Sequence, residues 1–270
     1  MAGCSRSTDL FLRDPAPAVS VDTIPPVLLP LVAAATVAGA GWGMLLPGLI
    51  DRYAVTWPDG HPKPPWRTAC PRCATASPPW WRSSGRCPGC DRRVVPGRWV
   101  TVPLSAFACG VAAAALGPTW ALPAFLLLAA LAVPLALVDL RVLRLPDPLV
   151  GAALLGGVAL LVVAALADQA VPALVRGALA ALACAAGYLT LALLPRSQLG
   201  FGDVKLGAVL GFHLGWLGWP AVVAGVLLAP LVNLPLVAGL LVTRRAGWRT
   251  PVPYGPAMLV AAIAAMVVSG

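Results

Sequence analysis

Two aspartates stand where apolar stretches of the sequence meet short polar breaks. Asp139 ends the apolar run 131–138, and Asp203 closes the run Gly200-Phe-Gly-Asp203. Ionisable groups at such positions in a membrane protein are costly and usually serve a function. The two aspartates are therefore candidate functional residues.

Each aspartate also has a purely structural interpretation. Asp139 can pair with Arg141 or Arg144, which follow it closely. Asp203 can cap the helix that begins near it, because the free N–H groups and the dipole of a helix N-terminus favour a carboxylate. The residues taken singly leave both interpretations open.

Four cysteines form two Cys-x2-Cys pairs that are separated by 13 residues: Cys70, Cys73, Cys87 and Cys90. Each pair can supply two sulfurs from one tight turn, which suits a tetrahedral zinc ion. No histidine or open position lies beside the pairs, so a structural zinc is expected. Two disulfides or a redox-active dithiol are the alternatives.

The elements that position these residues must be membrane helices. Of 270 residues, 59% are hydrophobic and 11% are charged, whereas soluble domains carry about 25% charged residues. A soluble domain of this size could not bury so much apolar surface. We therefore predict an all-α, polytopic membrane protein with about eight transmembrane helices and a small cytoplasmic loop that binds zinc through four cysteines.

The apolar runs and their breaks give the order of the segments. Residues 1–26 contain no apolar run typical of a signal peptide and are predicted to form an N-terminal extracytoplasmic tail. The first transmembrane helix is expected over 27–50, the Cys-rich loop over 51–98 and the remaining membrane domain over 99–270. Within that domain we predict two helices in 99–138, one each over about 149–167 and 171–194, two in 204–242 and a last one over 253–268.

The distribution of basic residues predicts the orientation of the chain. The formal net charge is +9, and most of the 19 basic residues lie in the Cys-rich loop or in three later breaks. The turns on the other side, at 117–120, 168–170 and 215–220, contain no lysine or arginine. By the positive-inside rule the Cys-rich loop faces the cytoplasm. The positive charge then points to anionic membrane lipids as partners and not to nucleic acid.

These motifs together resemble the prepilin peptidases, or type IV leader peptidases, which are membrane aspartic proteases with a GxGD signature. Gly200-Phe-Gly-Asp203 matches that signature, and Asp139 followed eight residues later by Asp147 of Leu-Pro-Asp resembles the other active-site signature. The Cys-x2-Cys pairs precede both motifs, and Pro253-Tyr-Gly-Pro256 resembles a further landmark near the C-terminus. The resemblance covers about residues 50–265.

The resemblance implies an aspartic endopeptidase with Asp139 and Asp203 as its catalytic pair, and the region 99–270 as its peptidase domain. Gly200, Gly202, Asp147 and Lys205 are expected to support the pair. Asp147 can orient the pair, cap the next helix or bind a basic substrate, and Lys205 is expected to reach the membrane surface. The implied substrates are type IV prepilins or pseudopilins, cleaved at the cytoplasmic face of the inner membrane.

Some members of this family also methylate the new N-terminus, and such a member needs S-adenosylmethionine. The stretch 41–52 departs from the family's usual sequence, which places the methyltransferase activity in doubt. A transporter that uses intramembrane carboxylates, a thiol–disulfide oxidoreductase and an inactive assembly scaffold are the alternative functions. The sequence does not define the substrate pilin or the oligomeric state.

Overall fold

The computed structural model describes residues 26–55, 66–93, 95–195, 197, 199–242 and 253–269. These residues form eight helices: α1 (Leu28–Tyr53), α2 (Arg98–Leu116), α3 (Leu122–Val142), α4 (Asp147–Ala167), α5 (Val171–Leu193), α6 (Phe201–Leu217), α7 (Trp219–Val242) and α8 (Gly255–Ser269). Apart from two isolated bridges in the Cys-rich loop, the described residues contain no β-structure. The predicted all-α class is confirmed. The predicted N-terminal tail lies outside the described residues, except for Pro26.

Five helices, α1 to α5, are long and apolar enough to cross a membrane. The apolar parts of α7 and α8 are shorter, and α6 has only 17 residues, or about 26 Å at the usual helical rise. Large apolar side chains on several helices are also strongly exposed, as Val37, Leu155 and Leu166 show. Such surfaces are stable against lipid and not against water. The chain is a multi-pass membrane protein, and the total of eight spans stays a prediction.

The helix ends follow local sequence signals. Prolines 123, 148 and 172 lie in the first turns of α3, α4 and α5, where a missing N–H costs nothing and the fixed φ suits a helix. Gly117 ends α2 with a φ of +61°, a conformation that glycine adopts without strain. α1 continues to Tyr53, so Asp51 lies in its last turn rather than in the loop.

Glycines allow two helix pairs to pack closely. Gly43 of α1 faces the backbone of Thr101 in α2, and the Thr101 hydroxyl donates a hydrogen bond to the Gly43 carbonyl at 2.7 Å. In the pair α5–α6, Gly207 lies against the ring of Tyr188 and Gly211 against Cys184. These close approaches set the position of α6, and with it Asp203, relative to α5.

Arg176 is the described basic residue that lies near the end of the bundle opposite the Cys-rich loop. Its Nε donates to the Gly215 carbonyl and its Nη2 to the Trp216 carbonyl, both at 2.7 Å. These carbonyls belong to the last turn of α6, whose C=O groups lack partners within the helix. Arg176 therefore provides hydrogen-bond donors and a positive charge for the carbonyl groups at the C-terminal end of α6.

Candidate active site

Asp139 lies in the last turn of α3 and is only 4% exposed. Its Oδ2 accepts a hydrogen bond from the backbone N–H of Gly255 at 3.1 Å. Gly255 is the first residue of α8 and is 116 positions away in the chain. The carboxylate therefore meets the N-terminus of another helix, where the dipole and the free N–H groups favour a negative charge.

Asp203 lies in the first turn of α6 and is 9% exposed. Its Oδ2 accepts a hydrogen bond from the backbone N–H of Gly200 at 3.0 Å. The side chain thus reaches back to the residue before the helix and caps it, as the structural interpretation of this residue expected. Capping uses one carboxylate oxygen and leaves Oδ1 for other partners.

The structure brings the two aspartates to the same end of the helix bundle. Their side chains are close enough to interact electrostatically. Leu145, in the connection from α3 to α4, packs against both motifs, because Cβ atoms built at Gly202 and Gly255 would lie 3.2 Å and 3.5 Å from its side chain. A side chain larger than hydrogen at either glycine would crowd this junction.

The two aspartate helices do not pack along their whole length. Near the opposite end of the bundle, Phe125 of α3 and His213 of α6 are in edge-to-face contact with ring centroids 5.5 Å apart. At the aspartates, α8 packs against both helices. α8 therefore belongs to this end of the bundle and supplies the N–H group bound to Asp139.

Two tyrosines border the aspartates. Tyr188 of α5 is buried, and its ring centroid lies 6.3 Å from that of Tyr254, the residue before Gly255. The Tyr188 ring lies against Gly207, one helical turn after Asp203. A narrow apolar cleft continues from Tyr188 between α5, α6, α7 and α8.

The predicted supporting residues occupy different places. Lys205 Nζ lies 2.8 Å from Asp147 Oδ1, and both side chains are more than half exposed. Asp147 is also the first residue of α4. Its contact with Lys205 therefore connects the starts of α4 and α6, and Asp147 stays separate from the buried aspartates Asp139 and Asp203. Lys205 was expected to extend to the membrane surface, and the structure gives it a carboxylate partner.

His213 belongs to the helix core. It is fully buried, its Nδ1–H donates to the Val209 carbonyl at 2.8 Å, and its ring contacts Phe125 and Phe212. Gly157 of α4 leaves room for the ring, since a Cβ there would lie 2.5 Å from Cε1. The residue packs α3, α4 and α6 together far from the aspartates.

The four cysteines of the loop come together in the structure. Their sulfurs all lie within 4.8 Å of one another, and the distances are 4.0 Å for Cys70–Cys90 and 3.4 Å for Cys73–Cys87. Tetrahedral zinc with Zn–S bonds of about 2.3 Å would place sulfurs about 3.8 Å apart. All six described cysteines are free thiols. The geometry fits a metal ion and not a pair of disulfides.

The electrostatics of this cluster also suit a cation. Hydrogen bonds from the Thr75 hydroxyl and backbone lower the pKa of Cys73 to about 6. Desolvation and the neighbouring thiols raise the pKa of Cys90 to about 12. Four thiolates without a metal would repel one another, and a divalent cation removes that penalty.

The partner of Asp139 does not stand out in the sequence, where Gly255 is only part of the Pro-Tyr-Gly-Pro landmark. A helix N-terminus predicted at Gly255 would have suggested an anion there, but nothing local indicates which carboxylate binds it.

The two buried aspartates at one end of this helical membrane bundle lie within a stretch that matches a known peptidase family. The sequence model of the Type IV leader peptidase family matches residues 120–238, which contain both aspartates. The chain is 32% identical over 214 residues to a prepilin leader peptidase/N-methyltransferase of Aeromonas salmonicida, covering 72% of this chain and 69% of the relative.

Two further relatives carry the same name. The protein of Aeromonas hydrophila is 32% identical over 228 residues, which cover 75% of this chain and 73% of the relative. That of Burkholderia pseudomallei is 33% identical over 229 residues, with 77% and 67% covered. No solved structure matches the chain. The chain belongs to the type IV leader peptidase family and is a peptidase.

Proposed function

We propose that this protein is a membrane aspartic endopeptidase that removes the short basic leader from type IV prepilins or pseudopilins at the cytoplasmic boundary of the inner membrane. Asp139 and Asp203 are its catalytic pair. The observation that carries the proposal is the juxtaposition of these two buried carboxylates, which come from separate helices and each accept a hydrogen bond from a helix N-terminus.

The proposed chemistry uses the pair as a unit. One ionised carboxylate takes a proton from a water molecule, whose oxygen attacks the scissile carbonyl carbon. The other, protonated, carboxyl group donates a hydrogen bond and then its proton to the carbonyl oxygen. When the tetrahedral gem-diol intermediate collapses, the C–N bond breaks and the first carboxyl group gives the proton taken from water to the leaving amine. A hydroxyl proton of the intermediate passes to the second carboxylate as the new carboxyl product forms. The pair then returns to its singly protonated state, so the proton belongs to both residues jointly.

The surroundings of the pair support an apolar substrate with a basic end. The cleft beside Tyr188 is lined almost wholly by apolar groups, which suits the apolar helix that follows the cleavage site of such substrates. A dyad at the end of the bundle meets the point where that helix leaves the membrane. A transporter would instead place its carboxylates near the membrane midplane.

The orientation and the lipid contacts are part of the proposal. Positive charge on the Cys-rich loop supports a cytoplasmic position for the loop and the aspartates. Trp66, Trp81 and Trp99 of this region are more than half exposed, and Arg93 stacks over the Trp99 ring at 5.9 Å. Exposed tryptophan beside arginine is typical of a surface that lies at anionic lipid headgroups.

The metal site and N-methylation of the product are separate from the cleavage step. Zinc at Cys70, Cys73, Cys87 and Cys90 would hold the loop together and has no place in the cleavage step. The named relatives combine leader cleavage with N-methylation, which would require S-adenosylmethionine. In this chain the departing stretch 41–52 forms the end of α1, where Gly48 is pressed against the backbone of Trp80. We propose cleavage as the activity of this chain.

The test is cleavage of a prepilin-like substrate by the reconstituted protein, beside Asp139→Asn and Asp203→Asn variants. Asparagine keeps the shape and an acceptor oxygen but cannot exchange a proton, so both variants should lose at least about a thousandfold in kcat. Retained zinc and an unchanged thermal unfolding curve show that the variants are folded. Cleavage that survives either substitution would remove that residue from the chemistry.

The same reaction with labelled S-adenosylmethionine tests the second activity. Because cleavage alone is proposed, the processed product should carry no label. A labelled N-terminus would show that the departing stretch 41–52 does not abolish methyl transfer.

A further inference from the structure

A proline in the middle of α3 leaves one backbone carbonyl of that helix without its usual donor. Pro134 lies inside α3 and is buried. Because proline has no backbone N–H, the hydrogen bond to the carbonyl four residues earlier, that of Ala130, cannot form within the helix. The hydrocarbon core of a membrane offers no water to replace it, so another group of the protein must bind this carbonyl.

The missing donor comes from α1. The indole Nε1–H of Trp42 donates a hydrogen bond to the Ala130 carbonyl at 2.9 Å. The two residues are 88 positions apart in the chain. Trp42 is partly buried and packs against the apolar cluster that contains Phe125 and Val133 of α3. The indole therefore takes the place of the N–H that Pro134 lacks, and it does so from another helix.

The same arrangement connects α1 to α2. Pro47 lies inside α1, and the carbonyl four residues before it belongs to Gly43. That carbonyl accepts a hydrogen bond from the hydroxyl of Thr101, a fully buried residue of α2, at 2.7 Å. Trp42 and Gly43 are adjacent in α1, one as donor and the other as acceptor. Two hydrogen bonds at proline-freed carbonyls thus join α2 to α1 and α1 to α3.

The bond at Ala130 bears on the position of Asp139, which follows Pro134 by five residues in the same helix. Helices bend at proline because a bond of the ladder is missing. Five residues span about 7.5 Å along a helix. A change of about 10° in the bend at Pro134 would therefore move Asp139 sideways by about 1 Å.

We infer that Trp42 is a positioning residue of the peptidase. Its indole N–H binds the Ala130 carbonyl that Pro134 frees, and thereby fixes the orientation of the part of α3 that carries Asp139. α1 lies outside residues 120–238, which match the family model, so this assignment gives a helix beyond that match a role in cleavage. The kinetic part of the inference rests on the proposed function.

The kinetic test removes the donor and keeps the ring. Benzothienylalanine at position 42 exchanges the indole N–H for sulfur with almost the same shape, and Trp42→Phe is the simpler variant. In cleavage of a prepilin-like substrate by the full-length protein, kcat should fall about tenfold to a hundredfold, the size expected for a misplacement of about 1 Å. KM should stay within about twofold.

Trp120→Phe is the matched control. Trp120 is 61% exposed, so this variant should keep kcat within about twofold. Zinc content and thermal unfolding of each variant show that it is folded. A folded protein with benzothienylalanine at position 42 that also keeps kcat within twofold would overturn the inference.

Pro134→Ala separates the hydrogen bond from packing. Alanine returns a backbone N–H to α3, so the Ala130 carbonyl is bonded within its own helix and no longer depends on Trp42. In this background, loss of the indole donor should change kcat by less than about twofold, a non-additive result. If Trp42 only packed against α3, its replacement would lower kcat by the same factor in both backgrounds, and that outcome would refute the inference.

A distance measurement tests the contact without relying on cleavage, and it also decides the question if Pro134→Ala alone is inactive. Val37 of α1 and Leu140 of α3 are exposed, and these positions can carry a pair of labels introduced as non-natural amino acids. Trp42→Phe should broaden the distance distribution, and Pro134→Ala in the same chain should narrow it again. An unchanged distribution in Trp42→Phe would contradict the inference. Absence of cleavage by the unmodified protein, with this distance pattern present, would instead refute only the proposed function.

Discussion

Replacing Gly255 by alanine tests the hydrogen bond from Gly255 to Asp139, because it exchanges a single hydrogen atom for a methyl group. A Cβ at residue 255 would lie 2.8 Å from Asp139 Oδ2 and 3.3 Å from its Cγ. Ordinary van der Waals contact begins at 3.4 Å, so the carboxylate or the start of α8 must move by about half an ångström. Asp139 is buried, and the side chain of Leu145 occupies the neighbouring space. The clash cannot be relieved by a simple side-chain rotation into solvent.

The expected size of the effect follows from packing energetics. Overpacking of this kind costs about 1–3 kcal/mol. If this cost falls on the geometry of the pair, at about 1.4 kcal/mol per factor of ten, Gly255→Ala lowers kcat by roughly fivefold to a hundredfold. KM should change little, because the substrate-binding surfaces away from the pair are untouched.

The assay is cleavage of a prepilin-like substrate under steady-state conditions, with Gly151→Ala as the control. Gly151 lies in α4, and a Cβ there meets nothing within 4 Å, so alanine should leave cleavage unchanged and slightly stabilise the helix. A Gly255→Ala variant that is folded and cleaves within twofold of the unmodified protein would show that the Gly255–Asp139 contact does not set the active geometry.

Three further predictions concern the Asp147–Lys205 ion pair, the zinc-binding cysteines and the contact of Gly48 with the Cys-rich loop. Reversing the exposed ion pair with Asp147→Lys and Lys205→Asp together should change the free energy of unfolding by no more than about 1 kcal/mol. The double variant should cleave better than either single variant. Equal activity in all three variants would show that the Asp147–Lys205 ion pair does not position α6. Zinc binding requires thiolates, so metal retention in a chelator competition should decrease as the pH falls, most steeply below about 6, where Cys73 takes up a proton; retention independent of pH would contradict zinc–thiolate ligation. Gly48→Ala should detach the Cys-rich loop from α1, because its Cβ would overlap the backbone oxygen of Trp80, and limited proteolysis of the loop should increase; an unchanged cleavage pattern would argue against this contact.

Much of the architecture could be predicted because lipid imposes simple requirements on the chain. Each long apolar run must form a helix to satisfy its backbone hydrogen bonds. The breaks at 117–120 and 168–170 fall between or at the ends of observed helices, and the break at 215–220 contains the junction of α6 and α7 at Gly218. Prolines in α7 were harder to interpret. Pro230 and Pro235 suggested an interruption, yet α7 continues through both, since lost backbone bonds in a membrane helix can be compensated locally.

The site was predictable only as a list of residues. The two aspartates and the four cysteines stand out because an ionisable group or a paired thiol motif is rare in an apolar chain. Their partners do not stand out. Gly255, which binds Asp139, is one of 27 glycines.

By itself, the sequence determined that the chain is a helical membrane protein, where its helices lie, and which side chains are candidates for its chemistry. These properties depend on local composition and on spacing along the chain. Only the tertiary structure decided that the N-terminus of α8 binds Asp139 and that Leu145 packs against both aspartate motifs. Such contacts connect residues far apart in the chain, and their geometry arises from how helices pack, which no local pattern encodes.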